Sequence, residues 1–270
     1  MLHPVKNQHY VPKFLLKNFT SNETHVWTFD KEAHAKGWKA VEEKPIKSVA
    51  SADYFYDKEV DSVKESLEYQ LGLIENSVSP LVRELATHRD LNILSSSERE
   101  LLAMFLALQM CRTKERMNNI QRLTNEVAQQ LRDKANIFVP PADTKELWLD
   151  QIYDAPEYAD LLKRKNWVLH VCKRNFFLSD NPVVFSNHKN PPGIRGTLGI
   201  NCDGIEIYLP LTDSLILAVL CERVYKDLKG TYNVPDAHLD YYNSLQVSRS
   251  DRFIFSSTGN FDLAFDMLMP

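Results

Sequence analysis

Apolar positions from Val60 onward recur every three or four residues, through Val63, Leu67, Leu71, Ile74, Val78, Leu81 and Leu85. That spacing puts one apolar stripe along a long helix. The run Ser-Ser-Ser-Glu-Arg-Glu at 95–100 then predicts a capping box, with Ser97 as N-cap and Glu100 reaching back to it. A second stripe, Leu101, Leu102, Phe105, Leu106 and Leu108, opens a helix expected to run as far as Lys134. Two long helices across a short loop make an antiparallel hairpin. Pro140-Pro141 ends the pattern, and shorter helices fill 143–164.

Elsewhere the period drops to two. His25 to Asp30 alternates and reads as a strand, with Tyr54-Phe55-Tyr56 as a second short one. Trp167 to Cys172 is a strand, Lys173-Arg174-Asn175 a turn, and Phe176-Phe177-Leu178 the return. Val183 to Phe185, Ile205 to Leu211, Leu215 to Leu220 and Phe253 to Phe255 complete the set. Near the start, Pro12 suits the first turn of a short helix, since its missing donor would be unpaired there anyway. Val11, Phe14, Leu15 and Phe19 form that helix's buried side. These elements predict an α+β fold, a helical hairpin packed on a mainly antiparallel sheet from the C-terminal part plus short N-terminal strands. One domain is expected over 1–270, with a mixed segment to 59, a helical region over 60–164 and a β-rich region from 165.

Composition narrows the class. The 270 residues are 44% hydrophobic and 25% charged, ordinary for a globular chain, and the net charge of −4 provides no general attraction for polyanions. A nucleic acid would need a local basic patch. The four cysteines never form a CxxC pair and read as small buried hydrophobes in a reducing compartment. Without an apolar leader or a membrane-length apolar run, the expected location is cytoplasmic, with no membrane partner. The stretch 189–204, rich in glycine and proline, is long enough to be a functional loop. Its GxxGxxG lacks the strand and helix that would make a dinucleotide site.

Several polar residues fall where an apolar stripe should continue. Gln109 lies four residues after Phe105, and Arg112 follows three later on nearly the same face. Glu75 sits at the edge of the first stripe, with Glu68 about 10 Å away along the axis, too far to share one metal ion. Arg112 is read two ways: as the partner of Glu75 across the hairpin, or as a fork for a ligand's phosphate or carboxylate. Ser179-Asp180-Asn181-Pro182 puts three short hydrogen-bonding side chains at a strand end, which serves turn chemistry and ligand contact equally well. His9 and Tyr10 stand just before the Pro12 helix, and an imidazole there is either a satisfied structural group or an acid, base or ligand.

The run His9-Tyr10-Val11-Pro12, then Phe-Leu-Ala-Leu-Gln-Met-Cys-Arg-Thr at 105–113, then Ser179-Asp180-Asn181-Pro182 and a Pro210-Leu211-Thr212 strand resembles a bacterial family of unknown function. That family is marked by an N-terminal HYVP-type motif and an internal SDNP motif, and the likeness covers essentially the whole chain. It implies that His9, Tyr10, Gln109, Arg112, Asp180 and Asn181 are signature positions, and it supplies no activity. Leu178 departs from the pattern, where threonine is expected, and removes one hydroxyl from the candidate site.

Two functions fit this inventory. The first is a metal-dependent phosphodiester hydrolase of nuclease type. His9 and Asp180 are catalytic; Tyr10, Gln109, Arg112 and Asn181 bind substrate; and a divalent metal rests on Asp180 or Glu75. The second is a non-catalytic binding or sensor protein whose polar pocket takes a small anionic ligand, closed by the 189–204 loop. Nucleic acid is the partner in the first reading and a small anion in the second. Transfer from a nucleotide cofactor by His9 and Tyr10 has the residue types without the spacing.

Overall fold

The computed structural model describes residues 5–20, 22–56, 66–140, 143–189 and 196–269. The chain opens with β1 (Asn7–His9), α1 (Lys13–Lys17), β2 (His25–Asp30), α2 (Lys31–Ala35), β3 (Val41–Pro45) and β4 (Ser51–Asp53). The helical middle holds α3 (Leu67–His88), α4 (Ser96–Cys111), α5 (Lys114–Ala135), α6 (Thr144–Tyr153) and α7 (Ala155–Lys163). Then come β5 (Asn166–Val171), β6 (Leu178–Ser179), β7 (Val184–Asn187), β8 (Ile205–Thr212) and β9 (Leu215–Leu220). The chain finishes with α8 (Glu222–Tyr225), β10 (Gly230–Asn233), α9 (Asp236–Arg249), β11 (Phe253–Ser256) and α10 (Asp262–Met267). The α+β class expected from the pattern is the class observed.

Three sheets organise these strands. The largest runs β10-β5-β9-β8-β7, antiparallel apart from the β10–β5 pair. Its central strands β9 and β8 carry apolar residues on both faces. Ile205, Ile207, Leu209 and Leu211 join the main core with the helices, while Tyr208, Ile216 and Ala218 face a second core with Leu239 of α9. A second sheet, β3-β2-β11-β6, pairs N-terminal strands with C-terminal ones, and β1–β4 forms a small ribbon. The two ends of the chain are therefore woven together: Phe29 of β2 lies opposite Ile254 of β11. Among the described residues, no helix is long and apolar enough to cross a membrane.

Where structure and pattern differ, local chemistry explains it. Val60 and Val63 lie outside the described residues, and α3 starts at Leu67. The capping box is present two residues earlier than expected. Ser95 is the N-cap, its hydroxyl accepting from the Glu98 amide while Glu98 accepts from the Ser95 amide. Three serines in a row offer three registers, and periodicity alone does not choose among them. The second long helix is two helices, because Thr113 caps a new one by accepting from the Arg116 amide. Tyr54-Phe55-Tyr56 is not a strand: Tyr54 has φ of +49°, in the left-handed region, and the strand is Ser51–Asp53 just before it. Phe176-Phe177-Leu178 does not return onto β5 either. Leu178 pairs with Phe255 in the second sheet, and β5 takes β9 and β10 instead.

Candidate functional site

The residues singled out by the sequence fall into two hydrogen-bonded groups. In the first, β1 and the residue after it carry His9 and Tyr10 into the interior before Pro12 opens α1. His9 is buried, its Nε2 3.1 Å from the Ile46 carbonyl. Burial pulls its pKa down from 6.5 to about 4, so the ring is neutral at physiological pH. The Tyr10 carbonyl accepts from Gln109 Nε2 at 2.8 Å, and Gln109 Oε1 accepts from Arg112 Nε at 2.9 Å. Arg112 in turn donates from Nη1 to Glu75 Oε1 at 2.7 Å. The Tyr56 hydroxyl lies 3.4 Å from both the His9 and Arg112 carbonyls. This chain ties the N-terminal segment to α4 and α3. Burial works against the Arg112 charge, and the neighbouring acidic groups, Glu75 first among them, together more than offset it, so the guanidinium stays protonated.

In the second group, β6 ends at Ser179 and delivers Asp180 into the loop before β11. Its Oδ1 accepts from the Asp251 amide at 2.8 Å, and its Oδ2 from the Arg252 and Phe253 amides at 2.7 and 2.8 Å. Asp180 is 1% exposed, and burial pushes its pKa up to about 6 against the pull of those three donors. The Ser179 hydroxyl is 2.7 Å from Gln246 Oε1, and Gln246 Nε2 donates to the Pro182 carbonyl. Asn181 donates from Nδ2 to the Arg249 carbonyl at 3.0 Å and accepts from the Thr113 hydroxyl at 3.4 Å. Leu178 is wholly buried in the main core, where it serves packing.

The single cleft expected to hold His9, Arg112 and Asp180 is not what these contacts build. All three side chains are in the interior, and each already holds protein partners. Neither Asp180 nor Glu75 is joined by further metal-ligating side chains: the Asp180 carboxylate accepts from three amides, and Glu75 Oε1 is taken by Arg112. Among the described residues, no three His, Cys, Asp or Glu side chains come together as a metal-binding group. The alternative considered for Arg112, an ion pair with Glu75, is present.

Asn181, at the end of the Ser179-Asp180-Asn181 segment, lines a cavity. A cleft of about 350 Å³ opens between the α4–α5 junction, the SDNP segment and residues 198–200. Arg116 and Arg249 stand beside Asn181, Glu115 is on the rim, and Val183, Phe185 and Ile200 belong to an apolar wall. Among the described residues Arg116 spends only its Nε, on Gln151 Oε1 at 3.1 Å, and Glu115 is bonded to Asn119. The Arg249 side chain is exposed. Two guanidiniums and a carboxamide beside an apolar wall suit a small ligand with an anionic head. Neither arginine was singled out from the sequence. The available signal was Thr113, whose capping turns α5 and brings Arg116 to the strand end.

No curated protein and no solved structure matches the chain. A family model described as a protein of unknown function, DUF4238, matches residues 7–260, and that match spans β1, the helical middle and β11. The chain belongs to the DUF4238 family.

Proposed function

We propose that this protein is a non-catalytic binding or sensor protein for a small anionic ligand, taken in the cleft at Asn181. The observation that carries this reading is the cleft itself, where Arg116 and Arg249 flank Asn181 over an apolar wall. A charge-assisted contact from a guanidinium is among the stronger hydrogen bonds a site can offer. The volume is that of a small-molecule site rather than of a nucleic-acid groove. His9, Gln109, Arg112, Glu75 and Asp180 then form the frame that fixes the cleft's walls. Through Thr113 and Arg249, Asn181 couples that frame to the ligand.

The test is thermal unfolding with and without inorganic phosphate and acetate, each against chloride at matched ionic strength. A ligand that binds the folded chain raises the midpoint by mass action. Arg249→Gln and Arg116→Gln remove the response if the cleft is the site. The runner-up, a phosphodiester hydrolase, requires divalent-metal-dependent cleavage of a nucleic acid that Asp180→Asn abolishes in a folded protein. The closed hydrogen bonding of His9 and Asp180 weighs against it.

A further inference from the structure

A second polar cluster shares no residue with the cleft. Glu206 lies on β8 with its side chain 6% exposed, and three phenol hydroxyls converge on it. Tyr225 bonds Oε1, while Tyr208 and Tyr241 approach Oε2 at 3.1 and 3.3 Å. His188, just past the end of β7, completes the set with Nδ1 2.9 Å from Oε2. Glu206 and Tyr208 share a strand face, Tyr225 comes from α8 and Tyr241 from α9, so the carboxylate is fixed from several directions.

The carboxylate accepts only, so the ring proton sits on Nδ1 and the Nε2 lone pair is left free. Nε2 has no hydrogen-bond partner among the described residues, and the side chain is 60% exposed. The ring is held on a second axis by Tyr241, with centroids 5.4 Å apart. An imidazole with its tautomer fixed by a buried carboxylate, and its other nitrogen open to solvent, is arranged as a nucleophile is.

We propose that His188 Nε2 is a nucleophilic, acyl-accepting site for activated carbonyl compounds, with Glu206 as its positioning residue. The Nε2 lone pair attacks the carbonyl carbon, the N–C bond forms, and the bond to the leaving oxygen breaks and takes its electron pair with it. The acylated ring carries a positive charge that Glu206 offsets until the Nδ1 proton leaves to water. Hydrolysis of the acyl-imidazole then restores the ring.

His88 is an internal control. It too faces a carboxylate, with Nε2 3.1 Å from Glu84, and its side chain is 54% exposed. Glu84, however, is 63% exposed, and it occupies the very nitrogen that Glu206 leaves free at His188. A solvated carboxylate offsets ring charge far less than a buried one.

The experiment is carbethoxylation of the folded, full-length chain by diethyl pyrocarbonate, followed site by site with peptide mass spectrometry. His188 is expected to react several-fold faster than His88, because its free nitrogen belongs to a ring oriented by a buried carboxylate. Glu206→Gln, shown folded by its thermal transition, is expected to remove the difference. Equal rates at the two histidines in the wild-type chain overturn the proposal without any variant. A Glu206→Gln rate equal to wild type overturns the role of Glu206.

Discussion

Arg112 Nη1 lies 2.7 Å from Glu75 Oε1, with the guanidinium 2% exposed and the carboxylate 24%. Among the described residues, Nη2 of the same arginine is buried without a hydrogen-bond partner. The guanidinium is therefore nearly sealed from water and incompletely satisfied, while the carboxylate keeps one edge in solvent, a costly arrangement that persists because removing one partner is worse.

Glu75→Gln should destabilise the protein by about 3 kcal/mol, because it strands a buried charge. Arg112→Met combined with Glu75→Leu should lie closer to wild type than Glu75→Gln does, since no charge is left to desolvate. Urea midpoints of the single and double variants check both statements. A double variant worse than the sum of the singles would show that the pair's packing, and not its charge, holds α3 to α4.

Asp180→Asn keeps one acceptor oxygen and turns an amine toward amides that now lack a partner. The expected loss is roughly 2–4 kcal/mol, from weakened charge-assisted bonds and unpaired buried donors. Hydrogen exchange at Arg252 and Phe253 should quicken with it. Unchanged exchange at those two amides would mean that the loop before β11 does not depend on Asp180.

Acid should weaken the fold before its carboxylates titrate in bulk. His9 and His170 are each held at about 4 by burial, below the usual 6.5. As pH falls from about 6.5 toward 4, the unfolded chain takes up these protons first, so stability is lost. Asp180, raised from 3.8 to about 6, acts oppositely, because the folded chain takes its proton first between those values. Two imidazoles against one carboxyl leave a net loss. Thermal midpoints from pH 7 to 4.5 should fall, and His9→Gln should flatten the slope. A variant as steep as wild type would remove His9 from the account.

Ser95→Ala should cost about 1 kcal/mol through loss of the cap of α4. Ser97→Ala, which leaves that cap in place, should stay within about 0.5 kcal/mol of wild type. Equal costs at both positions would contradict the observed capping register.

Much of this architecture was legible because period and length carry it. The stripe through Leu71, Val78 and Leu85 and the alternation in β2 each report a buried face directly. What failed was decided at longer range. Whether Leu178 pairs with β5 or with Phe255 of β11 depends on where β11 arrives, some 75 residues later. The parallel β10 strand carries only Gly-Thr-Tyr-Asn, too short and too polar to announce itself. The site followed the same rule. Gln109, Arg112 and Glu75 stood out as polar residues on apolar stripes, and they are bonded to one another or to backbone. Arg116 and Arg249 looked like ordinary surface charges, and only the folded chain brings them to the cleft that Asn181 lines. Glu206 hid in the same way, one charged residue inside a strand that is otherwise apolar or aromatic as far as Leu211.

The most direct test of the division between frame and cleft is the phosphate-induced shift in thermal midpoint, measured on wild type, His9→Gln and Arg249→Gln at matched ionic strength. Phosphate also stabilises proteins without a site, so the comparison among variants is what decides. The account predicts a lower midpoint but an undiminished shift for His9→Gln, and a near-normal midpoint with the shift lost for Arg249→Gln. A shift lost in His9→Gln and kept in Arg249→Gln would contradict it, and would return the site to the buried signature residues.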